Sequence, residues 1–235
     1  VLADLEARRA RRAPVRVGRY VVLGGAAAVA LLLAAAAFVP VFPWNRPRLT
    51  RLAPDGAGGV QALDGKGRVL WRRSDTAAGR QIALARLPGG DMGALAVPGG
   101  TAEPRKRLAV LDGLTGRLLA EMELPDPAAD REGVGAFQGF SSTFAVGAVL
   151  PFDADDDGVD EVAVSLCHVP LWAGATYVSD PGRRRVVAAF YGSGHHYART
   201  AADVDGDGRK EMILAGLNNR MGYSGAVAAV RIPRE

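Results

Sequence analysis

The chain has one cysteine, Cys167, among 235 residues. An intrachain disulfide is therefore excluded, and so is any paired-cysteine metal site. Cys167 reads best as a small hydrophobe on a strand. Histidine is almost as scarce, with only His168, His195 and His196. Three such residues fall short of a convincing tetrahedral zinc set, and His195 and His196 read as loop residues packed near a strand. Glycine-rich phosphate loops, Gly-x-Ser-x-Gly elbows and His-Glu-x-x-His helices are missing, which removes the commonest signs of an enzyme. From residue 51 onward long stretches of helical periodicity are also missing. Short apolar runs between Gly, Asp and Pro take their place, and that texture reads as all-β.

The excess of positive charge is local. Six arginines in residues 1–19, against Asp4 and Glu6, account for the whole net charge of +4. The rest is balanced, so nucleic acid is not an expected partner. Residues 20–39 carry no charge at all. Twenty helical residues reach ~30 Å, the thickness of the hydrocarbon layer. Tyr20 and Trp44 flank the run, and Pro40 and Pro43 end it. The expected organisation is a basic cytoplasmic segment over 1–19, a single transmembrane helix over 20–42 and a linker over 43–50. Arginine before the span puts the N-terminus in the cytoplasm and residues 51–235 in the periplasm or outside the cell. A cleaved signal peptide is the alternative, with Ala35-Ala36-Ala37 as its cleavage pattern. The first residue is Val rather than Met, and an upstream cytoplasmic domain such as a kinase is a further expectation.

The strongest motif is Asp203-Val204-Asp205-Gly206-Asp207-Gly208-Arg209-Lys210-Glu211. Carboxylates stand at positions 1, 3, 5 and 9, and the glycines permit a tight curl through positive φ. Two unit charges 4 Å apart repel by ~1 kcal/mol in water and ~4 kcal/mol at an effective dielectric of 20. A closed loop with four such groups calls for a hard cation, and Ca²⁺ accepts that ligand set most readily. The pattern also stands at Asp153-Ala154-Asp155-Asp156-Asp157-Gly158-Val159-Asp160-Glu161. Asp156 and Asp160 fall at non-ligand offsets and are expected to be solvated. Both loops lead into apolar strands, and each is expected to hold one Ca²⁺ that stabilises the fold rather than switching it. An EF-hand fails at its twelfth position, where Val164 and Leu214 cannot bind calcium.

Hairpin turns interleave with these loops. Leu63-Asp64-Gly65-Lys66-Gly67-Arg68 and Leu111-Asp112-Gly113-Leu114-Thr115-Gly116-Arg117 stand 48 residues apart, Asp180-Pro181-Gly182 is a looser copy, and Gly225-Ala226-Val227-Ala228-Ala229-Val230-Arg231-Ile232 is read as a fourth. Trp71 is expected in a core, with Val69 on the same strand face and Leu70 on the other. Each unit runs acidic loop, strand, loop, hairpin. Periods near 50 residues suggest propeller blades, about four of them: a partial one over 51–80, then 85–125, 143–191 and 201–235. The loop of the second is degenerate around Asp91, where no metal is expected. Residues 126–142, with Phe137 and Phe140, and the connection with Pro170, Leu171 and Trp172 read either as recognition insertions or as plain loops.

At these residues the chain resembles the FG-GAP/VCBS repeat family of integrin-α-like propellers. The match is Asp-x-Asp-x-Asp-Gly-x-x-Glu at 153–161 and 203–211, and the resemblance covers about 51–235. It implies Ca²⁺ bound by Asp153, Asp155, Asp157, the carbonyl of Val159 and Glu161. The second implied set is Asp203, Asp205, Asp207, the carbonyl of Arg209 and Glu211. The Phe-Gly and Gly-Ala-Pro portions of the family pattern are not present as such, and four blades are fewer than the usual seven. The Leu-Asp-Gly hairpins also resemble those of quinoprotein propellers. Two function classes stay open. One is a membrane-anchored, Ca²⁺-binding module for an external protein or carbohydrate ligand. The other is an enzyme on a propeller scaffold, such as a polysaccharide lyase or a quinoprotein dehydrogenase.

Overall fold

Asp-Gly turns fix the register of the molecule. In a computed structural model of the chain, residues 47–74, 81–98, 106–127, 144–169, 173–218, 222 and 224–233 are described. Residues 1–46 lie outside them, and with them the expected cytoplasmic segment, the apolar span and most of the linker. Among the described residues no helix is long and apolar enough to cross a membrane.

The described residues form four antiparallel sheets. The first holds β1 (Leu49–Pro54), β2 (Val60–Asp64) and β3 (Val69–Arg73). The second holds β4 (Ile82–Arg86), β5 (Met92–Ala96), β6 (Arg107–Leu111) and β7 (Leu118–Glu123). The third holds β8 (Phe144–Phe152), β9 (Glu161–His168), β10 (Gly174–Asp180) and β11 (Arg185–Gly192). The fourth holds β12 (His196–Ala202), β13 (Glu211–Asn218) and β14 (Ser224–Arg231). Each sheet is a simple meander, its strands paired in chain order.

Three of the hairpins read from the sequence are one structural device, whereas residues 225–231 of the fourth instead belong to a single strand, β14. Asp64 Oδ1 accepts the N–H groups of Lys66 (2.8 Å) and Arg68 (2.9 Å), and Gly67 closes the turn at φ +77°. Asp112 Oδ1 accepts Leu114 N–H (3.1 Å) and Thr115 N–H (2.8 Å), with Gly116 at φ +68°. Asp180 Oδ1 accepts Arg183 N–H at 2.8 Å, and Arg184 takes the left-handed position at φ +53°. Beyond each turn one extra residue is inserted: Leu70, Leu119 and Val187 lie between paired neighbours. This bulge corrects the expected alternation in β3. Val69 is 43 % exposed, Trp71 is buried, and Leu70 also packs on the core.

The hairpin places each sheet in the repeat. It joins the third and fourth strands of the second and third sheets, but the second and third strands of the first. The first sheet therefore supplies strands two to four of the unit, and the fourth sheet supplies strands one to three. The first unit is thus partial, as expected from the sequence; the fourth, expected over 201–235, begins at His196 and is three-stranded among the described residues.

Three apolar clusters lie between successive sheets. Leu49, Val60 and Trp71 of the first sheet meet Ile82, Ala94, Ala96 and Leu111 of the second. The indole of Trp71 donates to Gly113 O at 3.0 Å, and a Cβ on Gly116 would stand 2.8 Å from its ring. Leu95, Val97 and Leu108 of the second sheet meet Phe144, Val164, Leu166 and Tyr177 of the third. Phe152, Ala163 and Val178 of the third meet Met212 and Leu214 of the fourth. A buried polar tie crosses this last seam: Thr176 Oγ1 and Ser165 Oγ are 2.9 Å apart, and Ser165 Oγ accepts Ala198 N–H at 2.9 Å. First strands of successive sheets pack together, β4 against β8 and β8 against β12. The loops entering the second strands of the third and fourth sheets are the two acidic motifs.

Candidate metal centre

The first acidic loop joins β8 to β9 and the second joins β12 to β13. Their backbones coincide in detail. Position 4 is left-handed in both, as Asp156 (φ +63°) and Gly206 (φ +78°), and so is position 6, as Gly158 (φ +85°) and Gly208 (φ +83°). The carboxylate at position 1 accepts the N–H at position 6: Asp153 Oδ2 from Gly158 (3.2 Å) and Asp203 Oδ2 from Gly208 (2.8 Å). The glutamate at position 9 reaches back to position 2, with Glu161 Oε2 accepting Ala154 N–H (2.8 Å) and Glu211 Oε2 accepting Val204 N–H (3.0 Å). Those bonds hold the carboxylates on the inside of the curl. Val164 and Leu214, which rule out an EF-hand, are fully buried in the strands that follow.

The structure brings part of each expected ligand set together. Asp153, Asp155 and Glu161 each offer an oxygen, all within 4.8 Å of one another, as do Asp203, Asp205 and Glu211. Asp157 and Asp207 are not members of these trios. Their Oδ1 atoms accept the N–H groups of Val159 (2.8 Å) and Arg209 (2.9 Å), which fixes the seventh position of each loop.

Charge separates the two loops. In the first, burial is the largest cause that pushes the Glu161 carboxyl up to about 7, and Asp155 and Asp180 add to it. Asp153 is 7 % exposed, and its Oδ1 is buried with no hydrogen-bond partner. Leaving a buried polar group unsatisfied costs about 1–3 kcal/mol, and more when it is charged. A cation at the centre of the trio relieves that cost, so the first loop fits a divalent metal. Beside it lies a pocket of about 20 Å³ lined by Asp155, Glu161, Asp180, Arg183 and Ile232, room for a single water.

Asp160 is not solvated as expected. It is buried and takes Arg86 of the second sheet in full. Asp160 Oδ2 accepts Arg86 N–H at 2.8 Å, and Asp160 Oδ1 accepts Arg86 Nη2 at 2.8 Å. Asp160 N–H in turn donates to Arg86 O at 3.0 Å. Arg86 Nη2 also reaches Asp153 Oδ2 at 3.3 Å. One guanidinium thus ties the loop to the neighbouring sheet. Sequence reasoning missed Arg86, because nothing local marks an arginine 74 residues upstream as a loop partner.

The second loop meets a cation of its own. Arg231, on β14 opposite Glu211, places Nη2 2.5 Å from Asp205 Oδ2, 3.0 Å from Asp207 Oδ2 and 3.1 Å from Glu211 Oε1. The expected degenerate loop of the second sheet is a short turn, in which Leu87 N–H donates to Asp91 O at 2.9 Å and Gly90 N–H to Leu87 O at 3.0 Å. His195 Nε2 lies 3.1 Å from His168 O, and His196 Nδ1 lies 3.1 Å from Gly194 O. Among the described residues neither metal-competent cluster contains a histidine.

No family model matches the chain. The resemblance to FG-GAP/VCBS repeats therefore rests on the two loops alone. No curated protein matches either. Solved structures with a similar arrangement include the exotype rhamnogalacturonan lyase YesX (TM-score 0.42, 17 % identity, 74 % of this chain and 35 % of that one). A protein of unknown function from Bacteroides caccae is similar at TM-score 0.37 and 13 % identity, over 73 % of this chain and 54 % of that one. The Dos1 propeller is similar at TM-score 0.39 and 14 % identity, over 74 % and 43 %. The chain spans between a third and about half the length of these structures. The likeness is in the sheet arrangement and brings no substrate or partner to this chain.

Proposed function

We propose that the chain is a Ca²⁺-stabilised, propeller-type binding module held at the outer face of a membrane by its N-terminal apolar segment. The observation that carries the metal is the orphaned Oδ1 of Asp153 beside Asp155 and Glu161. Three hard oxygen donors on a curled loop suit Ca²⁺, whereas Mg²⁺ demands a smaller, near-ideal octahedron. The ion's task is mechanical. It neutralises carboxylates that otherwise repel, and it holds the turn from which β9 enters the core. Arg86 extends that hold to the second sheet. Outside the cell, millimolar Ca²⁺ saturates even weak sites of this kind, so occupancy there is constant and the role is structural rather than a switch. The surface so stabilised serves an external protein or carbohydrate ligand. The placement of 1–46 and the identity of that ligand belong to this reading.

Calorimetric titration of the metal-free chain tests it. Ca²⁺ should bind, Asp155→Ala should remove binding at the first loop, and Asp91→Ala should leave it intact. Loss of no site in Asp155→Ala would end the assignment.

A further inference from the structure

The two acidic loops share sequence, backbone and hydrogen bonds, yet their cross-strand neighbours carry opposite charge. On the fourth sheet Glu211 pairs directly with Arg231. On the third sheet the ladder ends where Val162 pairs with Ser179, and the next residue, Asp180, lines the same small pocket as Glu161. The first loop therefore faces an added carboxylate, itself buried and held by Arg183 at 3.2 Å. The second faces a guanidinium that enters the loop.

Arg231 does not merely border the second loop. Its Nη2 lies within 2.5–3.1 Å of oxygens from Asp205, Asp207 and Glu211, and its Nε donates to Glu211 Oε1 at 3.2 Å. Three carboxylates converging on one nitrogen make the arrangement expected around a cation. The hydrogen bond to Glu211 is the largest cause that raises the Arg231 pKa, with Asp205 and Asp207 adding to it. In the first loop Arg86 bonds Asp160 and Asp153 Oδ2, and the buried Oδ1 of Asp153 has no hydrogen-bond partner.

We infer that Arg231 is the resident cation of the second loop, a tethered side chain that engages Asp205 and Glu211, the counterparts of two of the first loop's three metal-competent carboxylates, together with Asp207. The second loop is then a metal-independent clamp that pins the last described strand, β14, to the turn before β13. Arg231 also determines selectivity, because a divalent ion enters only if the guanidinium withdraws. This departs from the equal occupation expected from the sequence. It goes beyond the proposed function and does not depend on whether the first loop binds Ca²⁺.

The test is Ca²⁺ titration of the full chain by calorimetry, in the wild type and in Asp205→Ala, Arg231→Gln, Arg231→Lys and the double variant Arg231→Gln/Asp205→Ala. Asp205→Ala should leave the wild-type stoichiometry unchanged. Arg231→Gln should add one ion per chain, Arg231→Lys should add none, and the double variant should return to the wild-type count. Loss of an ion in Asp205→Ala overturns the inference even if Arg231→Gln fails to fold. So does an unchanged count in folded Arg231→Gln. A wild type that binds no Ca²⁺, with Arg231→Gln binding one, would refute the first-loop assignment and support this one.

Discussion

At position 4 of each loop the backbone turns through the left-handed region, and the two loops meet that demand differently. Gly206 does so freely, and a Cβ built there meets nothing within 4 Å. Gly206→Ala should therefore cost only the strain of a Cβ held in the left-handed region, about 1–2 kcal/mol, in a denaturant melt. No loss would mean that the loop does not need this φ. Asp156 fills the same position as one of the few side-chain types, with Asn, that adopt it at times. At Cys167, burial pushes the thiol up to about 11. Reaction needs the thiolate, so a thiol reagent at pH 8 should label the native chain only as it unfolds. Rapid labelling without unfolding would contradict the burial. The carboxylates at positions 1, 3 and 9 were legible in the sequence because their spacing alone brings them to one curl. Arg86, Asp160 and Arg231 were not. Asp160 looks like surplus charge until β4 is laid beside it, and Arg231 looks like an ordinary strand end until β14 pairs with β13.

Among the elements, the Asp-turn hairpins carry the repeat. Asp64 is held below the ordinary carboxylate range, first by the backbone N–H of Arg68, and Asp112 first by the Thr115 hydroxyl. Both folded values lie below the unfolded one. Their contribution is therefore complete above about pH 4, the unfolded value, and is lost as pH falls through the lower folded values. Melts from pH 6 downward should show a loss that shrinks in Asp64→Asn and Asp112→Asn; an unchanged acid profile would count against the turns. Trp71→Ala removes the buried ring between the first two sheets and should cost about 3–5 kcal/mol. A cost below about 1 kcal/mol falls outside that range for core residues and would place the ring in solvent. The hairpins and the burial of Trp71 were legible, because Asp-Gly turns and apolar runs are local. The bulge at Leu70 was not: an extra residue leaves no mark in an apolar strand, and alternation assumes there is none.

For the molecule as a whole, the described residues form four sheets joined by three apolar seams and a few polar ties. Arg86→Ala removes the guanidinium part of the tie between the second and third sheets and leaves Asp160 Oδ1 without its side-chain donors, while the two backbone bonds remain. The cost should be about 1–3 kcal/mol, toward the lower end because the guanidinium is 44 % exposed and solvent screens it. A cost near zero in a denaturant melt would deny Arg86 that role. The repeat and its partial first unit could be read from turn spacing alone, whereas the order of packing needed the structure. The most direct measurement is the thermal melt of the full chain with Ca²⁺, after chelation, and after Ca²⁺ is restored, in the wild type and in Asp155→Ala. Native-state binding stabilises by about 2.7 kcal/mol at a hundredfold excess over Kd. The expected result is a fall on chelation that Ca²⁺ reverses in the wild type, and no response in Asp155→Ala. A wild-type melt indifferent to chelator would contradict a metal-held first loop.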